Sequence, residues 1–156
     1  MRLRFDREFR PATVDPGDET FASGIFVFNV TKLMAYIESN PDAFSKEEVA
    51  IETLGASPSA NLNEATIRIT DLSIPIILAE ISPGRFSVID GNHRVEKARR
   101  AGAKTILVYR LSPNQHLRFL TSAFAYERYV EYWNSKLVQP GTGPTLRVPK
   151  PPPGFR

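Results

Sequence analysis

The chain contains no cysteine. That absence excludes disulfides, a thiolate nucleophile and any thiolate metal centre. Histidine is scarce as well: His93 and His116 are the two present, without the acid-rich close spacing of a zinc motif. No apolar run approaches the roughly 20 residues that a membrane-spanning helix needs. The opening residues Met1-Arg2-Leu3-Arg4-Phe5-Asp6 lack the apolar stretch of a secretory signal. Together these absences give the expectation of a cytoplasmic protein with no membrane partner. No internal repeat is visible.

What is present fits one globular domain. The 156 residues are enough to bury a core, and 42% hydrophobic with 24% charged residues is a globular rather than a disordered balance. The formal charge of +3 is unevenly placed. Residues 1–10 contribute +2 and residues 140–156 contribute +3, which leaves −2 on residues 11–139. The basic character therefore belongs to the two ends, and only weak, salt-sensitive binding to nucleic acid is expected.

Along the chain, residues 1–24 carry Pro11, Pro16, Gly17 and Gly24 and read as an irregular lead-in. Residues 25–28 are strand-like. Asn29 or Thr31 can cap a helix through Leu33, Met34, Tyr36 and Ile37, and Pro41 ends it by pushing its predecessor out of the helical region. Residues 46–53 and 67–71 alternate as strands do, and residues 55–63 are a small, polar loop. Residues 74–81 form a nearly unbroken apolar run, the pattern of a strand covered on both faces. The turn Ser82-Pro83-Gly84-Arg85 predicts a hairpin of residues 75–81 and 86–89.

A helix over 92–101 and a strand over 105–110 follow. Ser112 then caps a long helix from about Pro113, along which Phe119, Ala123, Tyr126, Val130, Trp133 and Leu137 recur at helical spacing. That stripe suits core packing, or a surface for a homodimer or protein partner. Residues 139–156 hold six prolines and read as an extended tail. The expected class is α/β (α+β): a small mixed sheet with packed helices over residues 25–138, a long C-terminal helix and a Pro-rich tail.

The chemistry-bearing stretch is Asp90-Gly91-Asn92-His93-Arg94. A strand, a glycine turn and a helix N-terminus in that order form an anion site, because the first helical N–H groups lack intrahelical partners and sit at the positive end of the helix dipole. Gly91 lets the backbone turn and a ligand come close. The imidazole of His93 can donate to a phosphate or shuttle a proton, and the planar fork of Arg94 suits a phosphate. Asp90 can cap the helix, hold Mg²⁺ or act as a general base. A polar turn held by a His–Asp pair, with no ligand at all, fits the same residues. Beyond the turn, Glu96 is spaced to pair with Arg99 or Arg100 on a solvated face. His116 reads as exposed or partly packed.

Asp90-Gly91-Asn92-His93-Arg94 resembles the Asp-Gly-x-His-Arg signature of the ParB/sulfiredoxin superfamily. The flanks are similar too: Leu72-Ser73-Ile74-Pro75-Ile76-Ile77-Leu78 before the motif, and a helix, Ala101-Gly102 and the strand Thr105-Ile106-Leu107-Val108-Tyr109 after it. The resemblance implies a small α/β fold that binds a nucleotide such as ATP or CTP. Asn92, His93 and Arg94 would then contact phosphate, with Asp90 and Gly91 shaping the turn. It implies chemistry at phosphate, whether NTP hydrolysis, phosphoryl transfer or nuclease action, for which Asp90 and His93 are the catalytic candidates by their own chemistry. Sulfiredoxins carry a cysteine where this chain has Asn92, so their reaction is excluded. Glu80 stands where sulfiredoxin-like members carry a lysine near the nucleotide. An acid there calls for a cation, which makes Asp90 and Glu80 the expected Mg²⁺ ligands. The alternative is a non-catalytic interaction module that keeps the fold.

Overall fold

The computed structural model describes residues 1–55 and 62–137. The Pro-rich tail and the middle of the loop expected over residues 55–63 lie outside these residues. Among the described residues the architecture is mixed α+β, with two small sheets and five α-helices.

The lead-in is more ordered than its composition suggests. Strand β1 (Thr20–Ser23) pairs antiparallel with β2 (Phe26–Asn29), so the expected irregular segment ends in a hairpin. Further upstream the chain is tied to the last helix by side chains. Asn134 accepts from the Leu3 N–H at 2.8 Å and donates to the Leu3 carbonyl at 2.9 Å, the Trp133 indole donates to the Met1 carbonyl, and Phe9 stacks on Tyr126.

Helix α1 (Val30–Ser39) begins at Asn29, whose carboxamide oxygen accepts from the Lys32 N–H, and ends at Asn40 before Pro41, as the sequence predicts. Strand β3 (Lys46–Ala50) stops short of the expected residue 53. There Ile51 turns into the core, its N–H bonds to the Lys104 carbonyl, and Ile51–Leu54 forms a 3-10 turn. Residues 67–71 are not a strand either. Helix α2 (Glu64–Ile69) occupies this stretch, capped by Asn63, and buries Ile67 while Ile69 is exposed. With two isoleucines in a six-residue helix, a period of two is indistinguishable from chance.

The second sheet follows the expected order. Strands β4 (Ile76–Ser82) and β5 (Arg85–Asp90) form the hairpin, helix α3 (Asn92–Arg100) crosses over, and β6 (Thr105–Leu111) returns parallel to β4. The strand order is β3-β6-β4-β5. Strand β4 is covered on both faces, which is why it reads as an apolar run. Ile76 and Leu78 pack with Val95 and Ala98 of α3, and Ile77 and Ala79 pack with α1 and the final helix.

The long helix expected from Pro113 is two helices. Ser112 caps α4 (Pro113–His116) in a capping box with Gln115, a 3-10 turn follows, and Leu120 leaves the helical path to bridge to Phe28. Ser122 then caps α5 (Ala123–Ser135). The break between α4 and α5 is set by pairing with a distant strand, which local periodicity does not register. Tyr126, Tyr129, Val130 and Trp133 are buried in the core. The stripe on this helix is therefore packing rather than a partner surface. Among the described residues no helix is long and apolar enough to cross a membrane.

His116 departs from expectation by being fully buried. Its Nε2–H donates to the Glu80 carbonyl at 2.9 Å, and the Tyr129 hydroxyl donates to the same oxygen. His116 Nδ1 is buried without a partner among the described residues. Burial lowers the His116 pKa from 6.5 to about 4, and hydrogen bonds to backbone offset only part of that shift. Burial likewise raises the Tyr129 pKa, and the nearby Glu80 charge adds to that shift. A histidine that is harder to protonate when folded destabilises the fold as pH falls below its unfolded value. Stability should drop by up to about 3 kcal/mol between pH 6.5 and pH 4 and level off below that. Urea denaturation across this range should show the slope in the natural chain and lose it in His116→Gln. Equal slopes would exclude His116 as the titrating group.

Candidate functional site

The site forms where β5 hands over to α3. Asp90 is the last residue of β5 and pairs with Ile77 of β4. The next residue, Gly91, adopts φ 110° and ψ 21°. A Cβ there would lie 2.8 Å from Ile76 Cβ and 2.9 Å from Arg94 Nη2. Only glycine both takes this conformation and leaves room for Ile76. Gly91 is also the N-cap of α3, and it has no side chain to cap with. The first intrahelical bond is from the Val95 N–H to the Gly91 carbonyl. The N–H groups of Asn92, His93 and Arg94 precede that bond, and no side chain caps them among the described residues.

The motif side chains take different positions around this turn. Arg94 Nη2 donates to Asp90 Oδ2 at 3.1 Å, with the arginine side chain 12% and the aspartate side chain 26% exposed. The pair spans one helical turn and straps the end of β5 to the start of α3. Arg94 Nε is buried and unpartnered among the described residues. His93 Nε2 accepts from the Asn63 N–H at 3.1 Å, which docks the start of α2 against the start of α3. In the neutral ring this bond assigns the proton to Nδ1.

A cleft of about 340 Å³ opens on the turn. Asp90, Gly91, Asn92 and His93 line one side, and Glu19, Thr20, Phe21 and Ala22 line the other, with Leu62 at the margin. The second wall is pinned in place. The Glu19 carbonyl accepts from the Val30 N–H, and the Glu19 N–H donates to Thr31 Oγ1. Fully buried Asn29 joins the lead-in to α1 by donating to the Thr13 carbonyl and to Asp18. The Asn29 amide, the Asp15 N–H and Lys32 hold the Asp18 carboxyl below its ordinary pKa.

The structure thus brings Asp90, Gly91, Asn92 and His93 to one cleft and sets Arg94 behind the turn. Glu80 does not join them. It pairs with Phe86 toward the other end of the hairpin, where its carboxylate accepts from the Gly84 N–H at 2.8 Å. Three residues of extended chain, about 10 Å, separate it from Ile77, the partner of Asp90. The second acid at the cleft is Glu19 instead. Among the described residues no three His, Asp or Glu side chains gather as a metal-binding group. Glu19 and the rest of the far wall lie about seventy residues upstream in sequence, so no local pattern joins them to the motif. Asn63 carried a readable signal, an Asn-Glu start to a helix.

The basic row of α3 is engaged elsewhere. Lys97 donates to the Arg68 and Thr70 carbonyls at the end of α2, and Arg99 donates to the Gly55 carbonyl. Arg100 pairs with Glu64 and, as its spacing predicted, with Glu96. These ion pairs raise the Arg100 pKa and lower that of Glu64. A wider hollow of about 650 Å³ lies beside Gly55, Arg99 and Lys104, at the C-terminal end of α3. It holds none of the motif residues, and the negative end of a helix dipole disfavours anions.

No family model, curated protein or solved structure matches the chain.

The crowding at Gly91 gives a direct test. Gly91→Ala should cost at least about 2 kcal/mol, through a disfavoured backbone conformation and overlap with Ile76. Chemical denaturation measures it, and an unchanged midpoint would mean that the turn does not pack as described.

Proposed function

We propose that the cleft at the start of α3 binds the phosphate of a nucleotide or phosphodiester, with Mg²⁺, and that the protein acts on that phosphate. The observation that carries this reading is the uncapped start of a nine-residue helix beside a cleft lined by Asn92 and His93. Oriented backbone N–H groups at the positive end of a helix are an established way to hold phosphate oxygens. The N–H groups of Asn92, His93 and Arg94 would take these oxygens. Asn92 and His93 add side-chain donors, and Arg94 adds its charge from behind the turn while holding Asp90 in place.

Two carboxylates, Asp90 and Glu19, line the same cleft. Unassisted, they oppose a phosphate, and a divalent cation between acid and phosphate reverses that repulsion. Magnesium typically binds through one or two carboxylates plus phosphate oxygens, and this donor set fits it. Asp90 would hold the ion, which when bound neutralises charge building up on the phosphate. His93 is the group suited to move a proton, because its bond with Asn63 fixes the ring. NTP hydrolysis, phosphoryl transfer and phosphodiester cleavage all use these parts. The alternative, an idle fold that docks partners through its last helix and tail, is less favoured on the helix side, since Tyr126, Val130 and Trp133 are buried.

Calorimetric titration with ATP, CTP and ADP, with and without Mg²⁺, tests the proposal. Binding should strengthen with Mg²⁺, and Asp90→Asn should remove that gain. Arg94→Ala should weaken affinity, because it removes a positive charge from behind the turn and releases Asp90 from its ion pair. No heat and no thermal stabilisation with any of the three would remove the nucleotide reading.

A further inference from the structure

The phosphate cleft continues into a second chamber. A hollow of about 280 Å³ lies alongside it, and both are lined by Phe21, Ala22 and Asn92. Phe21, Phe86, Val88 and Leu54 line the second chamber together with Ser23, Ser87 and Asn92, and more of its surface is polar than apolar. The first chamber holds the motif, its acids and the start of α3; the second adds Phe86 to the Phe21 that lines both.

We infer that this second chamber receives the base of a nucleoside phosphate whose phosphates lie at the start of α3. The inference rests on the phosphate reading above and specifies the ligand for it. Three observations point to a planar heterocycle rather than a plain apolar chain. First, the chamber is walled by two phenylalanines, and base–aromatic contact is favourable for every base because each has a π-face. The Phe86 ring is held from one side by the Arg110 guanidinium, 5.0 Å from the ring centre, which Glu47 in turn pairs at 3.0 Å. Second, polar groups accompany the rings. Ser23 and Ser87 hydroxyls and the Asn92 carboxamide can donate to and accept from the edge of a base. Third, among the described residues β5 is the end strand of its sheet and β1 belongs to a separate sheet, so β5 has backbone N–H and C=O groups outside those ladders beside the chamber. Asn92 touches both chambers, so a ligand spanning them passes the motif itself.

The test separates the base from the phosphates. The full chain is titrated with inorganic tripolyphosphate and with ATP, GTP, CTP and UTP, all with Mg²⁺, and the series is repeated on Phe86→Ala and Phe86→Leu, which lie outside the phosphate cleft. At least one nucleotide should bind about ten-fold or more tightly than tripolyphosphate, the scale of one base–aromatic stack. Each variant should lose most of that preference while keeping its tripolyphosphate affinity, which also reports an intact fold. Phe86→Leu keeps apolar volume without the ring and should behave as Phe86→Ala does. Tripolyphosphate binding as tightly as every nucleotide would overturn the base chamber and leave the phosphate site standing. Variants that keep the nucleotide preference would do the same. If neither tripolyphosphate nor any nucleotide binds, the phosphate reading fails and the base chamber with it.

Discussion

The contact between Gly91 and Ile76 is the constraint on which the site depends. Ile76 starts the buried central strand, and its side chain fills the space where any other residue at position 91 would place a Cβ. The backbone passes over Ile76 with φ of 110° and enters α3 directly. Because the residue at the N-cap must be glycine, the helix begins without a capping side chain. Packing in the core thereby leaves backbone donors free at the start of α3. The Asp90–Arg94 pair then keeps strand end and helix start in register across the turn.

The two sides of the cleft come from different parts of the fold. The turn belongs to the four-stranded sheet, whose α3 face is packed by Val95 and Ala98. The opposite wall is β1 and the residues before it, anchored through Asn29 to α1 and, further upstream, through Asn134 and Trp133 to α5. The buried aromatic face of α5 and the hydrogen bonds of Tyr129 and His116 to the Glu80 carbonyl fix β4 from behind. Nearly all of the conserving force on the cleft geometry is thus long-range, although the motif itself is five consecutive residues.

That contrast explains what the sequence made legible. Strand β4 announced itself through Ile76, Ile77, Leu78 and Ala79 because burial on both faces demands an unbroken apolar run. Helices α1 and α3, the β4–β5 hairpin and β6 were readable from caps, turns and periodicity. Helix α2 has the sequence pattern of a strand because Ile67 and Ile69, two residues apart, mimic one. Strand β1 was missed because it is four residues long and alternates exposed with half-buried positions. The break before α5 depends on Leu120 pairing with Phe28, and the burial of His116 on a carbonyl 36 residues away. The motif residues were identified from sequence, but not their division of labour: Asp90, Asn92 and His93 at the cleft, Arg94 behind it, Glu80 at the far end of the hairpin. Glu19 and the Phe21 side of the cleft come from a segment whose relation to the motif is purely tertiary.

The central claim is that an anion binds on the free N–H groups at the start of α3. Amide NMR spectra of the isotopically labelled chain, recorded while inorganic tripolyphosphate and Mg²⁺ are added, test it most directly. Hydrogen bonding to backbone donors shifts their own resonances, so the largest changes should fall on Asn92, His93 and Arg94, with smaller ones on Thr20, Phe21 and Ala22 across the cleft. Shifts confined to other basic residues, such as Arg118 and Arg128, or no shifts at all, would contradict it.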